Sequence, residues 1–132
     1  MRVMIDSNVL VSAIYNSNFK PALVVRDVCE SHELLLCDHI VAKCYDVVGR
    51  KFPQHTTVLD KLFTFLSYSL VVTPRGAGVP ITDPKDAPIL KVAILENVDM
   101  IVSGDSHFLS LNLERPKVLT PAQYLEATEA EA

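Results

Sequence analysis

The sequence predicts an α/β domain: a mainly parallel sheet of four to five strands with helices on both faces. Three observations predict it. Apolar runs of strand length, at residues 3–5, 33–37 and 70–73, alternate with segments whose apolar residues recur at helical spacing. That alternation builds a parallel sheet covered on both sides. Carboxylates also stand where apolar runs end, at Asp6 and Asp105. In open α/β sheets this edge, outside the carboxyl ends of the strands, is where ligands bind. With 132 residues, no internal repeat and no linker, the chain is expected to be one domain over residues 1–125 with a short tail.

Taken in order, the first strand, residues 3–5, ends in Asp6. Ser7 or Asn8 is placed to cap the following helix by accepting a backbone N–H. Asp6 is itself either a cap or a site residue. Residues 9–15 suit a short helix and 16–19 a turn. Pro21 is tolerated in a first helical turn, and Ala22, Val25, Val28 and Cys29 keep helical spacing through Ser31. Residues 33–37 form the second strand. Asp38 is expected to cap a helix over 39–51, with Ile40, Val41, Cys44, Val47 and Val48 on one face and Phe52-Pro53 as its stop.

A helix from Thr56 or Thr57 to Leu66 has Val58, Leu62, Phe65 and Leu66 as its expected apolar side. Residues 70–73 give the third strand. The loop at 74–80 holds glycines, but neither G-x-G-x-x-G nor G-x-x-x-x-G-K, so it is no phosphate-binding fingerprint. A helix begins near Asp86, with Pro88 in its first turn and Ile89, Ala93 and Ile94 expected inward. Residues 99–105 read as a strand and tight turn, Phe108 and Leu109 as a short helix, and 116–119 as the last strand. Thr120-Pro121 opens a C-terminal helix, and residues 126–132, without apolar periodicity, are expected to fray.

Composition excludes several classes. An apolar fraction of 49% argues against disorder. The apolar runs fall far short of the roughly 20 residues that span a bilayer, and no signal peptide is visible after Met1-Arg2. A cytoplasmic protein without a membrane partner is expected. Cys29, Cys37 and Cys44, odd in number and without C-x-x-C spacing, do not form a zinc or disulfide framework. His32, His39, His55 and His107 also lack ligand spacing. A net charge of −4 argues against nucleic-acid binding by overall positive charge. Divalent metal held by carboxylates can still bridge to phosphate.

Asp6, Asp86 and Asp105 carry the chemistry. Each alone has an ordinary explanation as a cap or turn residue. In a parallel sheet the three would face one edge, where their charges repel unless a cation neutralises them. All-oxygen ligands favour Mg2+ or Mn2+, and two such ions can activate water and stabilise the leaving oxygen of a phosphodiester.

At these residues the chain resembles the PIN-domain nucleases over nearly its whole length. The segments are Asp6-Ser7-Asn8-Val9-Leu10-Val11-Ser12-Ala13, Asp83-Pro84-Lys85-Asp86 before the apolar helix Ile89-Leu90-Lys91-Val92-Ala93, and Val102-Ser103-Gly104-Asp105 with His107-Phe108-Leu109. The resemblance is to the bacterial and archaeal toxin group related to VapC. It implies a three-layer α/β/α fold, metal-dependent cleavage of RNA, a cognate antitoxin partner, and a homodimer or higher oligomer. It also implies that Asp6, Asp86 and Asp105 hold Mg2+ or Mn2+, that Ser7, Asn8 and Ser103 orient carboxylates or waters, and that Asp83 supports the site. Lys20, Arg50, Lys51, Arg75 and Lys85 are candidate phosphate contacts, with plain solvated charge as the alternative for each.

One departure stands out. The family has an acidic residue on the helix after strand two, and this chain has Lys43 there. Asp46, about one helical turn on, is a candidate substitute. Alternatively Lys43 competes with metal for the carboxylates, and the chain is a PIN scaffold that binds RNA or protein without cutting. A phosphatase of the haloacid-dehalogenase type would want Asp-x-Asp where Asn8 stands. A phosphoacceptor receiver would want an Asp where strand three ends in Val72-Thr73. Tyr15, Phe19 and Val24 are a candidate homodimer face, with core packing as the alternative.

Overall fold

In the computed structural model, the described residues are 1–15, 18–73, 87–111 and 113–131. Asp83, Lys85, Asp86, Arg75 and the loop at 74–80 lie outside them. The strands are β1 (Arg2–Ile5), β2 (Glu33–Cys37), β3 (Ser69–Val71), β4 (Met100–Val102) and β5 (Lys117–Leu119). The helices are α1 (Ser7–Ala13), α2 (Lys20–Ser31), α3 (Asp38–Lys51), α4 (Thr56–Phe65), α5 (Ala87–Leu95), α6 (Ser106–Leu109) and α7 (Pro121–Glu131), with a 3₁₀ turn at Pro53–His55.

The sheet has five parallel strands in the order β3-β2-β1-β4-β5. This is the expected α/β/α architecture. Central strands buried on both faces must be apolar at successive positions, and Val3, Met4 and Ile5 in β1, Leu34, Leu35 and Leu36 in β2, and Ile101 and Val102 in β4 are all buried. The chain steps outward from β1 to β2 to β3, then crosses back to lay β4 on the other side of β1. The strand order therefore reverses between β1 and β4, and a crevice opens beyond the carboxyl ends of such a pair.

The crossover into β4 is set by a helix stop. Asn97 has φ 54°, a left-handed conformation that asparagine tolerates. Its N–H bonds the Ile94 carbonyl at 3.2 Å and the Val98 N–H bonds the Ala93 carbonyl at 2.9 Å, which satisfies two carbonyls at the end of α5. Val98 is then fully buried ahead of β4.

Several local expectations need correction. Asp6, and not Ser7 or Asn8, is the N-cap of α1. Asp38 does not cap α3. That helix starts at Asp38 after Cys37, and the Asp38 carboxylate accepts from the Thr73 N–H at 2.8 Å and from its hydroxyl. The Thr73 hydroxyl bond, followed by its backbone N–H, holds the Asp38 carboxyl below the usual carboxylate range. The interaction ties the chain beyond β3 to the start of α3. In α5, Ile94 is half exposed, because a helix apolar nearly all round carries no periodic mark of its inner face. Val24 is fully buried, so it belongs to the core and not to a dimer face.

In α4 the inward stripe is Leu59 with Leu62, Phe63 and Leu66, at helical spacing of i, i+3, i+4 and i+7. Val58 is 41% exposed and Phe65 83%. Leu59→Ala should therefore cost about 2–5 kcal/mol, whereas Phe65→Ser should stay within about 0.5 kcal/mol. Urea unfolding of the two variants checks this, and equal costs would return Phe65 to the core.

Candidate active site

The first carboxylate is fixed by β1. The Asp6 N–H bonds the Val102 carbonyl of β4 at 2.9 Å, so the chain leaves β1 still stitched to its neighbour. The extended Asp6 backbone then turns its carboxylate onto the start of α1, where Oδ1 accepts from the Ser7 N–H at 2.8 Å. Ser7 acts here through its backbone. Oδ2 accepts from the Ser103 hydroxyl at 2.8 Å and from the Asn8 Nδ2 at 3.3 Å. Asp6 and Ser103 have no exposed surface and Ser7 almost none. A buried carboxylate needs such donors to offset the loss of water.

The second carboxylate is fixed by β4. After Val102, the Ser103 hydroxyl donates to Asp6 and accepts from the Asp105 N–H at 3.0 Å. The Asn8 side chain spans the same gap in parallel. It donates to Asp6, and its carbonyl oxygen accepts from the Gly104 N–H at 3.1 Å. Two side chains thus join the loops after β1 and β4. Asp105 caps α6, with Oδ1 accepting from the His107 N–H at 2.8 Å and lying 3.0 Å from the His107 Nδ1. The spacing of the histidines gave no hint of this contact.

A cavity of about 450 Å3 opens beside this junction. Ser7, Asn8, Val11, Ser12 and Tyr15 line it from the side of α1, Lys43, Val47, Lys51 and Phe52 from the side of α3, and Asp105 from β4. Lys43 therefore shares a cavity with one of the predicted ligands. Asp46 does not line this cavity. Its carboxylate is 62% exposed and bonds Arg50 one turn further along α3, at 2.9 and 3.1 Å. Asp46 lines a second cavity together with Lys43 and Arg50. Among the candidate phosphate contacts, Lys51 lines the cavity, Arg50 is engaged by Asp46, and Lys20 is exposed at the start of α2.

The donor chemistry suits a hard cation. Among the described residues Asp6 accepts three hydrogen bonds. Carboxylate oxygens are the ligands that hard cations prefer, and of the two carboxylates, Asp105 lines the cavity while Asp6 lies fully buried behind it. Beside Asp6, burial, with a contribution from the Asp6 charge, pushes the Cys44 thiol up to about 12 against the opposing effect of Lys43. Among the described residues no three His, Cys, Asp or Glu side chains are grouped to hold a metal. Asp83 and Asp86 lie outside those residues.

Comparison with known proteins agrees with this architecture. A family model described as the PIN domain matches residues 2–107. An uncharacterized protein of Methanocaldococcus jannaschii is 27% identical, with the alignment covering 98% of this chain and 92% of that protein. Among solved structures, VapBC2 from Rickettsia felis bound to a DNA fragment from their promoter shares the fold at a TM-score of 0.67 and 14% identity. That match covers 91% of this chain and 98% of that one. With the family model spanning most of the sequence and the parallel five-stranded fold in place, the chain belongs to the PIN domain family.

Proposed function

We propose that the chain is a divalent-metal-dependent ribonuclease, the toxin of a toxin–antitoxin pair, working from the crevice between β1 and β4. The observation that carries this is the tie between Asp6 and the loop bearing Asp105 at the topological switch point, made by Ser103 to the Asp105 N–H and by Asn8 to the Gly104 N–H. Membership of a family whose domains are generally nucleases supports it, and the fold likeness to VapBC2 supports an antitoxin partner.

In this reading Asp6, Asp105 and Asp86 hold Mg2+ or Mn2+, with Asp83 in a supporting role. When bound, the ions supply Lewis acidity that activates water and neutralises charge on the phosphodiester. The chain's own part is orientation. Ser103 fixes one Asp6 oxygen and the Ser7 N–H fixes the other, while His107 steadies Asp105. Such partners set where a ligand's lone pairs point. Water is the nucleophile in this reading.

One observation favours a second reading. Lys43 lines the cavity with Asp105, and an ammonium there opposes the entry of a cation. The chain would then bind RNA or protein without cutting. Labelled single-stranded RNA incubated with the protein in Mn2+ and in EDTA separates the two. Fragments formed only with Mn2+ are expected, and intact RNA that nevertheless shifts in a gel would favour the binding scaffold.

A further inference from the structure

We propose that Tyr15 and Phe52 form a stacking subsite for an unpaired nucleobase of RNA, at the aromatic end of the cavity that Asp105 enters. The proposal rests on the ribonuclease reading and names how its substrate is held. Tyr15 follows α1 and Phe52 ends α3, and both line the cavity that also holds Lys43, Lys51 and Asp105. Their rings meet edge to face, with centroids 5.0 Å apart at 79°. His55, in the 3₁₀ turn, meets Tyr15 in the same manner at 5.4 Å and 74°. Phe52 and His55 also meet each other, at 6.3 Å, so the pair braces Tyr15 along one flank, and Tyr15 stays 40% exposed. A ring held rigid and left partly open loses little entropy when a planar base stacks on it.

The charges say which planar ligand fits. Lys43 and Lys51 are eight residues apart on one helix, roughly 12 Å along its axis. Lys43 shares the cavity with Asp105, and Lys51 directly precedes Phe52. A strand passing along α3 from the carboxylates to the aromatic rings meets a cation at each end for its phosphates. Cations that follow the backbone and a ring that takes a base are the two parts of a single-strand site. A simple anion would not use the aromatic wall, and a duplex would not present an unstacked base.

The test uses the native protein in EDTA, where binding is read without cleavage. A fluorescein-labelled single-stranded RNA and its duplex are titrated by anisotropy. Tyr15→Leu should weaken single-strand binding about fivefold or more, leave duplex binding unchanged, and melt with the native protein. Tyr15→Trp should keep native affinity. The native chain has no tryptophan, so this variant places its sole indole at the subsite, and RNA should quench its fluorescence. That second readout stands even if Tyr15→Leu fails to fold. Unquenched fluorescence in Tyr15→Trp, or equal single-strand affinity for a folded Tyr15→Leu, would overturn the subsite. Quenching without any metal-dependent cleavage would keep the subsite and remove the ribonuclease reading. Cleavage with unquenched fluorescence would do the reverse.

Discussion

Asp6→Asn should lower metal-dependent RNA cleavage by at least about 100-fold while the fold persists. Loss of a residue that merely orients a metal ligand typically costs about 10–100-fold, and Asp6 is proposed as a ligand. The substitution keeps an acceptor for the Ser7 N–H. It also sets an amide near the Asn8 amide, which now donates to Asp6 Oδ2, so orientation is lost together with charge. Asp6→Ala is harsher. It removes the cap of α1, about 1 kcal/mol, and strands buried donors at about 1–3 kcal/mol. The Ser103 hydroxyl can rotate to relieve part of this. A total of about 2–4 kcal/mol is expected for Asp6→Ala and much less for Asp6→Asn. Cleavage rates taken with chemical unfolding curves check both. Full cleavage by a folded Asp6→Asn would remove Asp6 from the site.

Lys43→Glu should tighten Mn2+ binding about tenfold or more. The substitution reverses the charge of a side chain that shares the cavity with Asp105 and acts electrostatically on Cys44 alongside Asp6. Charges near a protein surface interact by about 4 kcal/mol at 4 Å, and a tenfold change in affinity needs only about 1.4 kcal/mol. Lys43→Gln divides the effect. It removes the opposing charge without adding a carboxylate, and its affinity should fall between those of the native protein and Lys43→Glu. Calorimetric titration of the three proteins reads this directly. Unchanged affinity in Lys43→Glu would mean that the ammonium does not bear on the metal centre.

What could be read from the sequence follows from what is local. β1 and β2 are buried on both faces, so their apolar runs are continuous and plain. The carboxyl ends of parallel strands share an edge, so Asp6 and Asp105 could be set on one side of the sheet. That β4 lies beside β1 is not local, and neither is the Asn8 contact with Gly104, which spans 96 residues. Asp38 looks like a cap in its own segment, but Thr73, 35 residues on, takes its carboxylate. In α4 two apolar stripes compete, and only packing against α3 selects the one through Leu59. Tyr15 reads as a dimer-face or core residue, and its contact with Phe52, 37 residues on, is not local.

The central claim is that the β1–β4 junction holds a divalent cation through Asp6. Its most direct test is calorimetric Mn2+ titration of the native protein beside Asp6→Asn, with melting curves to establish that both are folded. Saturable Mn2+ binding by the native protein that Asp6→Asn abolishes is the predicted result. Equal binding by the two folded proteins, or none by the native protein, would contradict it.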